Sequence, residues 1–181
     1  MSQRIARIAV TGTPGSGKTS VCSVSNWECQ SVMELAKING CLEPIDASDG
    51  AAPVDVEKLS SILLEKWNLL EHPMLIDGHL SHHLPIDAIV ILRCHPDTLQ
   101  ERLEKRNYSQ NKINQNTESE LLSSIAGECF QKLDIPCLEI DSTVITAIEI
   151  FQRLMDWVAD GFKPSRPDVP IDWIATIHGG D

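Results

Sequence analysis

The sequence is poor in aromatic residues and in basic ones. Aromatic side chains make up 4% of the 181 residues, so aliphatic side chains must fill most of the hydrophobic core. The chain has 15 Lys and Arg against 26 Asp and Glu, which gives a net charge of −11. This charge argues against a broad surface for direct contact with DNA or RNA. It is compatible with a basic protein partner and equally with simple solubility.

Metal-binding cysteine pairs and long apolar runs are also absent from the sequence. Its six cysteines include no C-x-x-C pair, so their spacing supports neither a zinc site nor a redox pair. No apolar run approaches the length that crosses a bilayer, and the opening Met-Ser-Gln-Arg contains no apolar core of a signal peptide. We therefore expect a protein without membrane contact, located in the reducing cytoplasm.

A glycine-rich loop of a specific kind is present near the start. Residues 12–19 fit the pattern G-x-x-x-x-G-K-[ST], in which glycines let backbone N–H groups curl around a phosphate. An apolar run of strand length precedes the loop at 5–10, and residues 19–24 can begin a helix whose dipole adds to the loop's donors. The pattern predicts a nucleotide site in which Lys18 lies near the β- and γ-phosphates and Thr19 binds Mg²⁺.

Strands and helices alternate along the rest of the chain. The alternation predicts an α/β fold with a five-stranded parallel sheet flanked by helices, a P-loop NTPase of the small-kinase type. We predict one such domain over residues 1–160 and an irregular tail over 161–181, with Trp173 as a candidate to dock the tail. The predicted strands are 5–10, 28–32, 74–77, 88–92 and 136–140, and the predicted helices are 33–39, 55–70, 96–105, 117–133 and 145–158.

A carboxylate and three histidines follow the third predicted strand. Asp77 is placed to hold the metal of a Mg²⁺-nucleotide, although a residue before Gly can also be a simple turn residue. His79 can position a water or a phosphoryl oxygen, or be an ordinary loop residue. His82 and His83 have no metal-binding spacing, so we predict no metal site there.

A second group of candidates is cationic. Arg93 ends the fourth predicted strand, and Arg102, Lys105 and Arg106 lead into an amide-rich segment, 106–116, which we predict to be a mobile loop. Phosphoryl transfer needs cations over the transferred group, and a closing loop excludes water. Arg106, at the start of the loop, is predicted to be functional. For Arg102 and Lys105, pairing with acids on a solvated helix face is an equal alternative.

Four motifs taken together resemble a known family, the adenylate kinase isoenzyme 6 family. The family includes the coilin-interacting nuclear ATPase and its archaeal relatives, and the chain resembles it over about residues 5–158. The motifs are the phosphate loop 12–19, Asp77-x-His79, Leu92-Arg93, and the segment from Arg102 to Glu120 with Arg106-x-Tyr108 at its centre.

The resemblance implies a nucleoside monophosphate kinase fold with a small lid, Mg²⁺-ATP as the donor and AMP or a similar monophosphate as the acceptor. It also implies ATP hydrolysis, and a role in late maturation of small ribosomal subunit particles through the eleventh universal small-subunit ribosomal protein. The lid is expected at about 105–115 and the monophosphate-binding segment at about 31–54. Expected ATP contacts are Gly12, Gly15, Ser16, Gly17, Lys18, Thr19, Ser20 and Arg106; expected catalytic residues are Lys18, Asp77, His79 and Arg106; expected metal ligands are Thr19 and Asp77.

The sequence departs from the family pattern in two places. Residues 26–53 contain no Arg, a single Lys (Lys37) and five acids, although Arg is what normally clamps an acceptor phosphate. Asn107 stands where the family commonly has Gly. Two functions therefore stay open at this point: a monophosphate kinase, and an ATPase switch that binds a basic ribosomal protein with little kinase activity. A small-metabolite kinase of the same fold is disfavoured by the motif set.

Overall fold

Five strands form one parallel sheet at the centre of the protein. The computed structural model describes residues 6–44, 52–67 and 72–179. The strands are β1 (Arg7–Thr11), β2 (Glu28–Ser31), β3 (Met74–Asp77), β4 (Ala88–Arg93) and β5 (Cys137–Asp141). They are ordered β2-β3-β1-β4-β5 and every adjacent pair is parallel. The predicted fold class is confirmed, and each strand prediction overlaps an observed strand.

The register of the sheet brings the ends of the central strands to one edge. Val10 of β1 lies opposite Asp77 of β3 and opposite Val90 of β4. All six residues of β4 are buried, which explains why this strand is a continuous apolar run rather than an alternating one. The carboxyl edge of the sheet is where ligands bind in folds of this kind.

Helices cover both faces of the sheet and enclose two apolar cores. One core lies between the sheet and the helices that follow β1 and β5, and the other lies under the helices on the opposite face. The helices are α1 (Lys18–Val24), α2 (Val32–Ile38), α3 (Val56–Lys66), α4 (Pro96–Lys105), α5 (Gln110–Leu121), α6 (Ser124–Phe130), α7 (Ala147–Ala159) and α8 (Trp173–His178), with a 3₁₀ turn at Ser81–His83.

The segment 106–116 differs from the mobile polar loop that was predicted for it. Ser109 caps α5 by accepting a hydrogen bond from the backbone N–H of Lys112, so most of 106–116 is helical. Thr117, where the predicted helix 117–133 begins, lies inside α5 and donates to the carbonyl of Ile113. The predicted helix 117–133 is in fact two helices, because Ser123 adopts a left-handed conformation with φ 54°.

The tail contains more structure than the predicted irregular segment. Asp172 caps α8, and Trp173 is 5% exposed at the start of that helix. The segment predicted to bind the monophosphate, 31–54, contains α2 and an antiparallel bridge between Leu42 and Val54, while its residues 45–51 lie outside the described residues. The end of predicted helix 55–70 lies outside them as well. Among the described residues, no helix is both long and apolar enough to cross a membrane.

Candidate functional site

The glycine-rich loop connects β1 to α1 at the carboxyl edge of the sheet. Gly12 has φ +137°, and a Cβ there would lie 2.3 Å from the carbonyl oxygen of Leu92 in β4. Only glycine fits where the loop crosses the neighbouring strand. Gly17 has φ +100° at the N-terminus of α1, and no atom lies within 4 Å of where its Cβ would be. The loop is therefore tight at its start and open at its end, on the side where the N–H groups of α1 point.

Lys18 is folded back over the loop. Its Nζ donates to the carbonyl oxygens of Gly12 at 2.7 Å and Thr13 at 3.0 Å. The residue is only 9% exposed. Burial lowers the pKa of Lys18 to about 8, while the negative charge of Asp77 acts in the opposite direction. A buried cation held only by carbonyls is well placed to receive an anionic ligand.

Ser16 offers an unpaired hydroxyl inside the loop. Its Oγ is buried and has no hydrogen-bond partner among the described residues, although buried hydroxyls are normally paired. Its carbonyl, in contrast, lies 2.7 Å from the Oγ of Ser142. The loop backbone is thus anchored from outside, and the unpaired hydroxyl fits a phosphate oxygen as its partner.

Thr19 and Asp77 bring two oxygen ligands together beside the loop. The Oγ1 of Thr19 lies 2.7 Å from the Oδ2 of Asp77. Neighbouring ligands of an octahedral Mg²⁺ are separated by about 3 Å, and the ion prefers hard oxygen donors of this kind. The pair fits the type of oxygen donor that Mg²⁺ prefers.

His79 lies at the exposed rim of the site. Its carbonyl accepts a hydrogen bond from the Oγ1 of Thr11 at 3.2 Å, which fixes the backbone after β3 to the residue before the loop. Partial burial of the ring, together with the positive charge of Lys18, lowers the pKa of His79. The neutral imidazole is therefore favoured at neutral pH, and it can accept as well as donate a hydrogen bond.

A cleft of about 180 Å³ opens next to the loop, between α4 and α7. Arg102 and Arg106 line it together with Gly15, Ser20, Ser142 and Ile145. Arg102 donates to the carbonyls of Ser142 at 2.9 Å and Thr143 at 3.1 Å rather than pairing with acids on its own helix. Arg102 therefore lies in the cleft and not on an ion-paired helix face, and its functional role stays a prediction. Arg106 is exposed.

Arg93 is not part of the cationic site, contrary to its place among the cationic candidates. It is 2% exposed and pairs with Glu120 at 2.7 Å and with Glu139 at 2.6 Å. The Nε1 of Trp173 donates to Glu120 at 2.9 Å, so the tail closes this buried network. Arg93 is a structural residue.

Glu120 connects the buried network to the phosphate loop. The Oγ1 of Thr13 donates to its Oε2 at 2.5 Å. Sequence reasoning missed this role of Glu120, because its partners are far away in the chain. Together with the hydrogen bond from Ser142 to the carbonyl of Ser16, this hydrogen bond holds the backbone of the loop in place.

The turn between α4 and α5 is compact. Asn107 has φ +56°, a left-handed conformation that Asn tolerates and Gly adopts freely. Tyr108 packs on a small apolar cluster that includes Leu99, Leu103 and Ile113. The predicted lid segment therefore packs on α4 through this apolar cluster.

A P-loop beside a strand-end carboxylate, on a 2-3-1-4-5 parallel sheet, defines the fold class of P-loop kinases. A shikimate kinase from Acinetobacter baumannii, solved with shikimate, has a similar fold with a TM-score of 0.59 at 14% identity, covering 88% of this chain and 96% of that one. A deoxyadenosine kinase from M. mycoides, solved with bound dATP, gives a TM-score of 0.51 at 16% identity, covering 85% and 99%.

Sequence comparison identifies the family of P-loop kinases to which the chain belongs. A family model described as an AAA domain matches residues 8–123. A protein named "Putative adenylate kinase" from Archaeoglobus fulgidus is 36% identical over 180 residues, covering 94% of this chain and 93% of its own. One of the same name from Pyrococcus abyssi is 35% identical over 170 residues, covering 92% and 90%. The chain belongs to this archaeal adenylate kinase family, and a kinase-like function is supported.

Proposed function

We propose that the protein is a Mg²⁺-ATP-dependent nucleoside monophosphate kinase of the adenylate kinase type, which converts ATP and AMP into two ADP. The observation that carries the proposal is the convergence of Lys18, Thr19 and Asp77 at one strand edge, with a 2.7 Å contact between the last two. Relatives named as adenylate kinases over nearly the whole chain support it.

Each site residue has a role in this proposal that follows from its position. The N–H groups of the loop, the Ser16 hydroxyl and Lys18 bind phosphate oxygens, and Ser20 at the first turn of α1 adds a further donor. Thr19 and Asp77 hold Mg²⁺, which offsets phosphate charge when bound. Arg106 of the lid covers the transferred group, and excluding water there favours transfer over hydrolysis.

The neighbouring side chains orient these groups. Arg102, fixed by two carbonyls, forms one wall of the cleft for the nucleoside. His79, at the rim, positions a water or a phosphoryl oxygen as a neutral imidazole. Neither residue supplies covalent chemistry, since phosphoryl transfer depends almost entirely on positioning and charge stabilisation.

A second candidate function is an ATPase switch of the adenylate kinase isoenzyme 6 type. In this alternative, ATP binding and hydrolysis change the affinity for the eleventh universal small-subunit ribosomal protein on late small-subunit particles in the cytoplasm. Two observations favour it: the net charge of −11, which suits a basic partner, and the absence of Arg from residues 26–53. ATPase activity and kinase activity can coexist in one site.

The experiment that separates the candidates measures ADP formation and phosphate release from ATP with and without AMP. The kinase proposal expects AMP to accelerate ADP formation without a matching release of phosphate. Lys18→Ala is expected to lose turnover at least a hundredfold, whereas Lys163→Ala, which removes an exposed lysine, retains it. If AMP never accelerates ATP consumption, the kinase proposal fails; full turnover by Lys18→Ala would refute the site assignment.

The partner hypothesis has its own test. The purified small-subunit ribosomal protein is immobilised, and retention of the chain is compared with ATP, with ADP and without nucleotide. A nucleotide-dependent difference in retention supports the switch. Equal retention in all three conditions contradicts it and leaves the kinase measurement unaffected.

A further inference from the structure

Two histidines and a glutamate meet on the face of the sheet opposite α7. His82 and His83 lie in the 3₁₀ turn after β3, and Glu128 lies on α6. The Oε2 of Glu128 is 2.9 Å from the Nε2 of His82 and 3.2 Å from the Nε2 of His83. All three potential ligand atoms lie within 4.8 Å of one another. No spacing rule could reveal this cluster, because Glu128 comes from a helix far along the chain.

The cluster has one buried ligand and two at the surface. The side chain of His82 is 1% exposed, while those of His83 and Glu128 are 38% and 51% exposed. An ion can therefore approach from solvent and reach the Nε2 of His82 at the base of the cluster.

The other ring nitrogen of His82 is already oriented. Its Nδ1 lies 3.0 Å from the Oγ1 of Thr11, which in turn donates to the carbonyl of His79. When Nδ1 carries the proton, it donates to Thr11 and leaves the lone pair of Nε2 directed at the cluster. Metal-binding histidines commonly have such a partner, because it fixes both the tautomer and the ring.

We propose that His82, His83 and Glu128 form a binding site for a divalent transition-metal ion of the Zn²⁺ class, separate from the Mg²⁺ site of the nucleotide. Two imidazoles and one carboxylate are a donor set that Zn²⁺ accepts, with water as the fourth ligand. Ligands of a tetrahedral Zn²⁺ lie about 3.3 Å apart, which is close to the 2.9 and 3.2 Å that separate the Oε2 of Glu128 from the two histidine nitrogens. The two nitrogens lie no more than 4.8 Å from each other.

The donor type distinguishes this site from that of the nucleotide metal. Thr19 and Asp77 offer only oxygen, which suits Mg²⁺, whereas imidazole nitrogen selects zinc-like ions over Mg²⁺ and Ca²⁺. A bound ion would link α6 to the turn after β3. Through the contact of His82 with Thr11, it would also be linked to the residue directly before the phosphate loop. The site is independent of whether the protein acts as a kinase or as an ATPase.

The test is a titration of the nucleotide-free protein with Zn²⁺ against a chromogenic chelator, and with Co²⁺ followed by its visible d–d bands. We expect one equivalent of Zn²⁺ to bind and Co²⁺ to show the intense bands of a low-coordinate site. His83→Ala and Glu128→Gln change partly exposed residues, so the fold is expected to persist, and each should weaken Zn²⁺ binding at least tenfold. His178→Ala and Glu118→Gln, at exposed positions elsewhere, serve as matched controls and should bind as the wild type does.

Asp77→Asn separates this proposal from the nucleotide site. We expect this variant to keep its Zn²⁺ affinity, because the ion does not need Asp77. If Asp77→Asn abolishes binding and the cluster variants do not, the ion occupies the nucleotide site and the proposal is wrong. Absence of Zn²⁺ binding by the wild type, or equal binding by His83→Ala and Glu128→Gln, would also overturn it.

Discussion

Replacing Glu120 by Gln tests whether the phosphate loop depends on a buried ion network behind it. The Glu120 side chain is 3% exposed and accepts four hydrogen bonds, from Thr13, Arg93, the backbone of Cys94 and Trp173. Gln keeps the size and one acceptor oxygen but removes the charge that faces Arg93.

The expected loss in the free energy of unfolding depends on which ion pairs Arg93 keeps after the substitution. Breaking a buried ion pair typically costs about 3–5 kcal/mol, since one charge is left buried without its partner. Arg93 keeps Glu139 at 2.6 Å, so we expect a value near the lower end, about 3 kcal/mol. For a chain of this length such a loss lowers the melting temperature by about 6–12 °C.

Urea denaturation measures this loss, and a double-mutant cycle connects it to the loop. Glu118→Gln, at an exposed position on the same helix, is the matched control and should change the free energy of unfolding by no more than about 0.5 kcal/mol. Thr13→Val removes the hydroxyl that reaches Glu120, and the two changes should couple by about 1 kcal/mol or more. A loss below about 1 kcal/mol for Glu120→Gln, or strict additivity with Thr13→Val, would refute the reasoning.

Three further outcomes follow from local geometry. Gly12→Ala should destabilise the protein by more than about 1 kcal/mol in thermal melting, because its Cβ would lie 2.3 Å from a backbone oxygen; an unchanged melting temperature contradicts this. Asn107→Gly should stay within about 1 kcal/mol of the wild type, whereas Asn107→Val should lose more, since φ is +56°; equal stability of the two variants contradicts the strain argument. Iodoacetamide should label Cys29 first in the native protein, and mass spectrometry can identify the labelled residue. A hydrogen bond from Cys22 lowers the pKa of Cys29, whereas burial raises the pKa of Cys94 to about 11. Labelling of Cys94 before Cys29 would contradict this prediction.

The sheet could be predicted from the sequence for a simple physical reason. Buried parallel strands are continuous apolar runs, and Ala88–Arg93 is buried at every position. The phosphate loop was equally readable, because its glycines and Lys18 form a local pattern. Both signals lie within a few neighbouring residues, so no knowledge of distant contacts was needed.

The lid and the loop anchors could not be predicted in the same way. Helix α5 exposes most of its surface, and among its first residues only Ile113 is buried, so its periodicity is too weak to distinguish it from a loop. Arg102 was ambiguous because its partners are backbone carbonyls about 40 residues away, and carbonyls carry no side-chain signal. The contact of Glu128 with His82 could not be predicted for a similar reason, since the two residues lie on different elements.

The contacts around the phosphate loop divide into two sets with different consequences. Thr13 and the carbonyl of Ser16 are fixed by Glu120 and Ser142. The Ser16 hydroxyl has no hydrogen-bond partner among the described residues, and the ammonium group of Lys18 is held by the carbonyls of Gly12 and Thr13. Burial of Lys18 lowers its pKa to about 8, so the protein holds a cation that its own acids do not fully compensate. An entering phosphate supplies the missing negative charge, and a loop already held in shape loses little freedom on binding it. The buried network and the phosphate loop therefore act together. The network around Glu120 keeps the loop donors in place, and the phosphates of the nucleotide supply the negative charge that balances Lys18.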